Sequence, residues 1–456
     1  MARRSENTIE NSEGKSRWNS AIFILLCMIP ALSVIVYGAV DAWAMSLLAL
    51  AAALIVMLWA VDAWTSGDLR FSTSSIQLPL IGLILIGLIQ LLPFWSSGIS
   101  PDLISVPAAG TLSMDPYATR FFVIRLIILF VFFAAASAYI DTAGRIRKIV
   151  IAIIIFGGVM AFVAILLRLA SPDAIYGLRP TPQAISFGSF VNQHHFAAFM
   201  ELTAGLTLGL LLGGSVKKDR KMLLGIAAFL MVIAVVFTSS RGGLISLIAV
   251  ITFVVPVQYF IRKNEVITDE RDSRSRLLMA GGAVAAILII LGMTFFLGGG
   301  DSLLRASGLA QNQADVTSGR LHFWSVAWRI FLANPVLGAG YDAFGVAFSR
   351  YDTWNGTFRI EQAHNDYLQI LADAGIAGFG CVAAFVFLFF RKSLGVIRNS
   401  KNVFGRDAAI GALAGCSGIL IHSFFDFPLR TTSNAFFFLL LAVIAVAGFE
   451  MKQRKA

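Results

Sequence analysis

Long apolar stretches separated by short polar ones dominate the chain, and their length points to a lipid bilayer. A spanning helix needs about 20 mainly apolar residues to cross roughly 30 Å of hydrocarbon. Twelve runs of this kind are predicted: Trp18–Gly38, Trp43–Trp64, Ile76–Trp95, Phe121–Ile140, Ile149–Ala170, His195–Gly213, Met222–Phe237, Gly242–Ile261, Leu277–Leu297, Tyr367–Phe390, Ala408–Phe425 and Thr432–Phe449. The seventh and twelfth are short. Trp18, Trp43, Trp64 and Trp95 each end a run, where an amphipathic ring prefers the headgroup layer. The first run contains Pro30 and lacks a small-residue cleavage site, so it is expected to be a retained helix rather than a signal peptide.

The runs predict an all-α polytopic membrane protein of about twelve transmembrane helices. The expected organisation is a tail over 1–17, helices one to nine over 18–297, a large loop containing short helices over 298–365, helices ten to twelve over 366–450, and a tail over 451–456. Within the loop, Ser318–Ala333 reads as a helix with Trp324, Trp328 and Phe331 on one face, lying in lipid or against the bundle. His322 reads as a loop residue. A second long connection, Ser171–His194, joins the fifth and sixth runs. Loops of this length in a compact protein are usually lids or binding elements.

Composition agrees with the pattern: 57% of the 456 residues are hydrophobic and only 14% charged, too few to coat a water-facing globule. Soluble enzyme folds and nucleic-acid modules are excluded, and membrane lipids are the expected surroundings. The net charge of +10 first suggests an acidic partner, yet 25 of the 36 Lys and Arg residues fall on alternate connections. By the positive-inside rule that face is cytoplasmic, with both termini inside and the loop 298–365 outside, in the periplasm. The other eleven basic residues are all arginines, in external segments or within runs. Guanidinium binds phosphate bidentately; it also snorkels well from apolar surroundings. The three cysteines sit in apolar runs, against a disulfide framework or a Cys metal site.

His364-Asn365 precedes the tenth run. A neutral histidine at the outer water–lipid boundary is suited to act as a general base, and equally to sit there as a polar interfacial residue. Gly375 and Gly378 give the following helix a small-residue face for a close neighbour. Arg241 stands in Thr238-Ser-Ser-Arg-Gly-Gly243, where two glycines expose backbone N–H groups as an anion nest; the alternative is a snorkelling arginine in a tight turn. Arg320 opens the loop helix as a second phosphate candidate or a solvated first-turn residue. His422 and Asp426 lie four apart on one helix face, where each can orient the other. Arg179, Asn192, His194, His195, His422 and Asp426 are candidate substrate contacts. Neither a P-loop nor a compact acidic cluster is present, so no metal, ATP or other cofactor is expected.

These residues resemble the O-antigen ligase and polymerase superfamily of membrane glycosyltransferases. The ligase pattern of His, then Asn, Ser or Gln, nine residues, and Gly-x-x-Gly is met by His364, Asn365, Gly375 and Gly378. Phe190-Val-Asn-Gln-His-His-Phe-Ala-Ala198, Ser239-Ser-Arg-Gly-Gly243, Gly319-Arg-Leu-His-Phe-Trp324, Asn334-Pro-Val-Leu-Gly-Ala-Gly340 and His422-Ser-Phe-Phe-Asp426 are similar in order. The resemblance implies a GT-C-like fold, an undecaprenyl-diphosphate-linked glycan as donor, and lipid A-core or another glycan as acceptor. It implies that His364, with Asn365, is the catalytic base and that Arg241 and Arg320 bind diphosphate. Ligase is the expected activity, polymerase the nearest alternative. A transporter or flippase would instead show related six-helix halves and mid-membrane charges.

Overall fold

The computed structural model describes residues 17–93, 110–170, 174–182, 184–265, 319–354 and 360–450, with isolated positions between 281 and 292. Eight helices come first: α1 (Arg17–Ile35), α2 (Ala42–Ser66), α3 (Leu78–Gln90), α4 (Pro116–Tyr139), α5 (Ala143–Ala170), α6 (Gln193–Leu212), α7 (Lys218–Phe237) and α8 (Arg241–Glu265). Two short ones, α9 (Arg320–Ala333) and α10 (Phe344–Tyr351), precede α11 (Asp366–Asn399), α12 (Val403–His422) and α13 (Thr432–Glu450). Among the described residues the one sheet is a hairpin of β1 (Ala174–Ile175) and β2 (Arg179–Pro180).

Every predicted run coincides with a helix except the ninth, Leu277–Leu297, which lies outside the described residues apart from isolated positions. Residues 298–318 of the loop and the tail 451–456 also lie outside them, as does nearly all of the tail 1–17. Nine described helices are long and apolar enough to cross a membrane. The seventh run, expected to be short, gains a charged first turn and becomes a 20-residue helix, while the third contracts to 13 residues behind Pro79. The outer surface is apolar: Leu50, Trp64, Ile155, Leu169, Phe229 and Phe387 are all more than half exposed. Such a surface is stable only against lipid.

The bundle is organised by the crossing of α6 and α12, both largely buried. A Cβ on Gly205 or Gly209 would strike the backbone of Gly415 or Gly411, and the reverse substitutions would strike α6. These small residues at four-residue spacing let the two backbones touch. One end of the crossing brings Gly213 against Asp407, and the other brings Glu201 against His422. A close approach is also predicted on α11, and it occurs at Gly375, where a Cβ would strike the backbone of Pro335 and Val336, but not at Gly378.

Gly375 has a further task. α11 breaks there, with φ 61° and ψ −161°, backbone angles that only glycine adopts readily. The chain from Asn334 to Tyr341 crosses the break and pairs with its freed groups: Ile376 N–H donates to Pro335 O at 2.8 Å, and Ala339 N–H to Ala372 O at 2.8 Å. The side chain of Gln90, at the end of α3, completes the repair. Its Nε2 donates to Leu337 O at 2.5 Å and Asp373 O at 2.8 Å, while its Oε1 accepts from Tyr341 N–H at 3.0 Å. Arg430 pairs with Asp373 and, at 2.7 Å, with Asp342, so the turn after α12 is fastened to the break. Burial would lower the pKa of Arg430, but Asp373, Asp342 and Asp366 outweigh it and raise the value.

A Cβ at Gly375 would land on the Val336 carbonyl, whereas one at Gly380 meets nothing within 4 Å. Gly375→Ala is therefore expected to cost about 2–4 kcal/mol from backbone strain and overpacking, seen as a lower melting temperature in detergent. Gly380→Ala is expected to melt like the parent protein. Equal melting of the two variants would contradict the break.

Candidate active site

The site forms where the start of α11, the start of α8, the start of α9 and the turn after α12 meet. Asn365 caps α11: its Oδ1 accepts from Tyr367 and Leu368 N–H at 3.0 and 3.1 Å, and its Nδ2 donates to Phe424 O at 3.2 Å. Asp366 N–H donates to Ser423 O at 2.9 Å, and Tyr367 Oη to Leu420 O at 2.6 Å. With the helix start strapped to residues 420–424, His364 is left in the left-handed region at φ 52°, an uncommon conformation for a non-glycine residue. Strain of this kind persists where the surroundings over-determine it.

His364 Nδ1 lies 3.1 Å from Asp426 Oδ1, which also accepts from Phe427 N–H at 2.9 Å. The Asp426 side chain is 2% exposed and that of His364 30%. Burial alone would raise the pKa of Asp426, but the bond from His364 and the charges of His195, His194 and His364 hold it well below the usual carboxylate range. A carboxylate at Nδ1 assigns the ring proton to that nitrogen and leaves the lone pair on Nε2, the orientation that a general base requires. Phe427 stacks edgewise on His364 at 4.9 Å and on His195 at 4.8 Å, fixing the imidazole plane.

Arg320 approaches the same carboxylate from the other side. Its Nη1 donates to Phe425 O at 2.5 Å, and its Nη2 is 3.9 Å from Asp426 Oδ2. Gly319, at φ 79°, opens α9 and sets the direction from which Arg320 enters. Arg241 is the first residue of α8 and is exposed. Gly242 beside it lies so close to the His422 ring and to Phe425 that a Cβ would come within 3.1 Å of both, so Arg241 emerges beside the loop that Arg320 contacts. Both arginines thus lie beside residues 422–426, the segment whose Asp426 also holds His364.

The other predicted site residues are placed differently. His422 and Asp426 share a backbone bond, but their side chains part: His422 Nδ1 meets Glu201 Oε1 at 2.8 Å in the core. His195 is buried and bonds through Nδ1 to Thr431 Oγ1 at 2.7 Å, a structural link to α13. Asn192 caps α6, accepting from His194 N–H at 2.8 Å. Arg179 forks onto Asp41 at 2.5 and 2.9 Å and covers Tyr37, pinning the β hairpin to the α1–α2 turn; no described contact joins it to His364. His322, expected in a loop, lies in the first turn of α9. The bundle-facing side of that helix is Phe323, Val326, Ala327 and Ile330, with Trp328 turned outward.

His194 reaches Ser240 Oγ at 2.8 Å, and Ser240 in turn accepts from Gly243 N–H at 3.1 Å, so the histidine is tied to the residue before Arg241. One member of the site, Glu201, escaped the sequence reading; it orients His422. Its signal was available, since a carboxylate within an apolar run is a functional candidate by default. Among the described residues, no group of three His, Cys, Asp or Glu side chains is arranged to hold a metal ion.

Residues 226–383 match the family described as O-Antigen ligase, and this segment carries Arg241, Arg320, His364 and Asn365. The matched segment, about a third of the chain, is similar to that family, which supports the O-antigen ligase and polymerase superfamily of membrane glycosyltransferase-like enzymes. No curated protein matches the chain.

Asp426→Asn places an amide at Nδ1 that can donate as well as accept, which frees the ring proton to move to Nε2. Turnover per folded molecule is expected to fall about a hundredfold or more in a glycan-transfer assay. Retention of more than a third of the activity would contradict the orienting role of Asp426.

Proposed function

We propose that the chain is an O-antigen ligase that transfers polysaccharide from undecaprenyl diphosphate to lipid A-core at the outer face of the bacterial inner membrane. The observation that carries this reading is the convergence of a carboxylate-oriented histidine and two arginines at one end of an apolar bundle. His364 Nε2 takes the proton of an acceptor sugar hydroxyl as its oxygen attacks the anomeric carbon of the donor. The bond from that carbon to the diphosphate oxygen breaks, the configuration inverts, and undecaprenyl diphosphate departs with the bonding electrons. Arg241 and Arg320 bind the diphosphate and stabilise the charge that grows on it. The diphosphate ester supplies the driving force, so no nucleotide enters the reaction.

The outward placement of the site rests on the charge asymmetry of the connections, which puts both termini on the cytoplasmic side. The family match covers the polymerases as well, and the acceptor decides between the two activities.

Purified protein supplied with an undecaprenyl-diphosphate-linked glycan and lipid A-core, in the presence of EDTA, is expected to yield glycan-bearing lipid A-core. His364→Ala is expected to lower the rate about 10²–10⁴-fold. Arg320→Ala and Arg241→Ala should each lower it about 10²–10³-fold. Lengthening of the lipid-linked glycan without transfer to lipid A-core would replace ligase by polymerase, and unchanged transfer by His364→Ala would overturn the mechanism.

A further inference from the structure

Beside the transfer site, α9 and α10 build an aromatic arrangement that the chemistry above does not use. The His322 ring lies flat on Trp354, with centroids 3.8 Å apart and planes within 6°. Asp352 Oδ1 meets His322 Nε2 at 2.6 Å and accepts from Trp354 N–H at 3.1 Å, so one carboxylate fixes both partners. Phe348 abuts His322 from the edge at 6.0 Å. His322 covers one face of the indole, yet Trp354 remains 53% exposed.

The position of this ring is informative. The Phe323 ring is 6.4 Å from Trp354 and 6.2 Å from His364, which sets the indole one or two sugar rings away from the base. A flat, rigidly held aromatic face beside a carboxylate suits a carbohydrate. The axial C–H bonds of a pyranose are drawn to the negative face of the ring, while Asp352, its side chain 7% exposed, holds the indole in place. A lipid seat looks different: Trp328, on the outward side of α9, lies among Leu321 and Leu332, which are also exposed.

We propose that Trp354, clamped on His322 by Asp352, is a sugar-stacking subsite that holds a pyranose one or two residues from the reacting carbon. The sugar belongs to either the lipid-linked donor glycan or the acceptor glycan. The proposal rests on the glycan-transfer reading above.

The test is steady-state transfer by the purified full-length protein, varying an undecaprenyl-diphosphate-linked glycan of several sugars and lipid A-core in turn against a saturating amount of the other. Trp354→Ala is expected to raise one KM about tenfold while kcat stays within about twofold, and Trp354→Phe to restore most of the loss. A rise in the donor KM assigns the sugar to the donor; a rise in the acceptor KM assigns it to the acceptor. Shortening that glycan to a single sugar should erase the difference between variant and parent. Trp354→Leu keeps bulk but has no ring face, and carries the same expectation if Trp354→Ala does not fold. Trp328→Ala is expected to leave both KM values unchanged. Unchanged KM values in Trp354→Ala and Trp354→Leu overturn the subsite, and so does a loss confined to melting temperature, which marks a lipid contact. A parent protein that makes no transfer product, or His364→Ala that still makes it, overturns the transfer reading and the subsite with it.

Discussion

A helix broken inside an apolar bundle has to have its peptide groups paired, because nothing in lipid will pair them. α11 breaks at Gly375, and much of the site's geometry follows from how the break is sealed. The Pro335–Tyr341 segment lies across it, Gln90 fills the remaining bonds from α3, and Arg430 reaches Asp373 from the turn after α12. Residues far apart in sequence are thereby held in one frame. The short first half of α11 can then be strapped to residues 420–424, which leaves His364 only its left-handed conformation.

Within that frame, Asp426 organises the chemistry. One buried carboxylate oxygen holds His364 Nδ1 and the other faces Arg320, so the proposed base and one proposed phosphate-binding group are set by a single residue. The α6–α12 crossing supports it from behind. Contact between Gly205 and Gly415 brings Glu201 to His422, and the packed His422 ring backs Gly242, next to Arg241. Close backbone contact at the core therefore places a cation at the surface.

Much of this was legible in the sequence. Run lengths predicted the helices, because the bilayer fixes how many apolar residues a span needs. His364, Arg241 and Arg320 stood out because charge and imidazole are costly in such a setting and two of them border glycine turns. The partner of His364 was not legible. His422 and Asp426 at four-residue spacing suggest mutual orientation, yet α12 ends at His422, and the turn that follows carries Asp426 to a residue 62 positions earlier. Spacing rules hold within a helix and lapse at its end. The close approach at Gly375 was legible but the helix break was not, because a glycine that permits close packing and one that permits a positive φ look alike in sequence. His194 and His195 are adjacent, and packing sends their side chains to different partners, Ser240 and Thr431.

The central claim is that His364, oriented by Asp426, faces a diphosphate held by Arg241 and Arg320. Electron cryomicroscopy of the full-length protein with bound undecaprenyl diphosphate tests it most directly. The account predicts phosphate oxygens within hydrogen-bonding distance of both guanidinium groups, His364 Nδ1 on Asp426, and Nε2 turned toward the space where the anomeric carbon would sit. A diphosphate seated away from both arginines, or a His364 ring detached from Asp426 in the bound state, would contradict it.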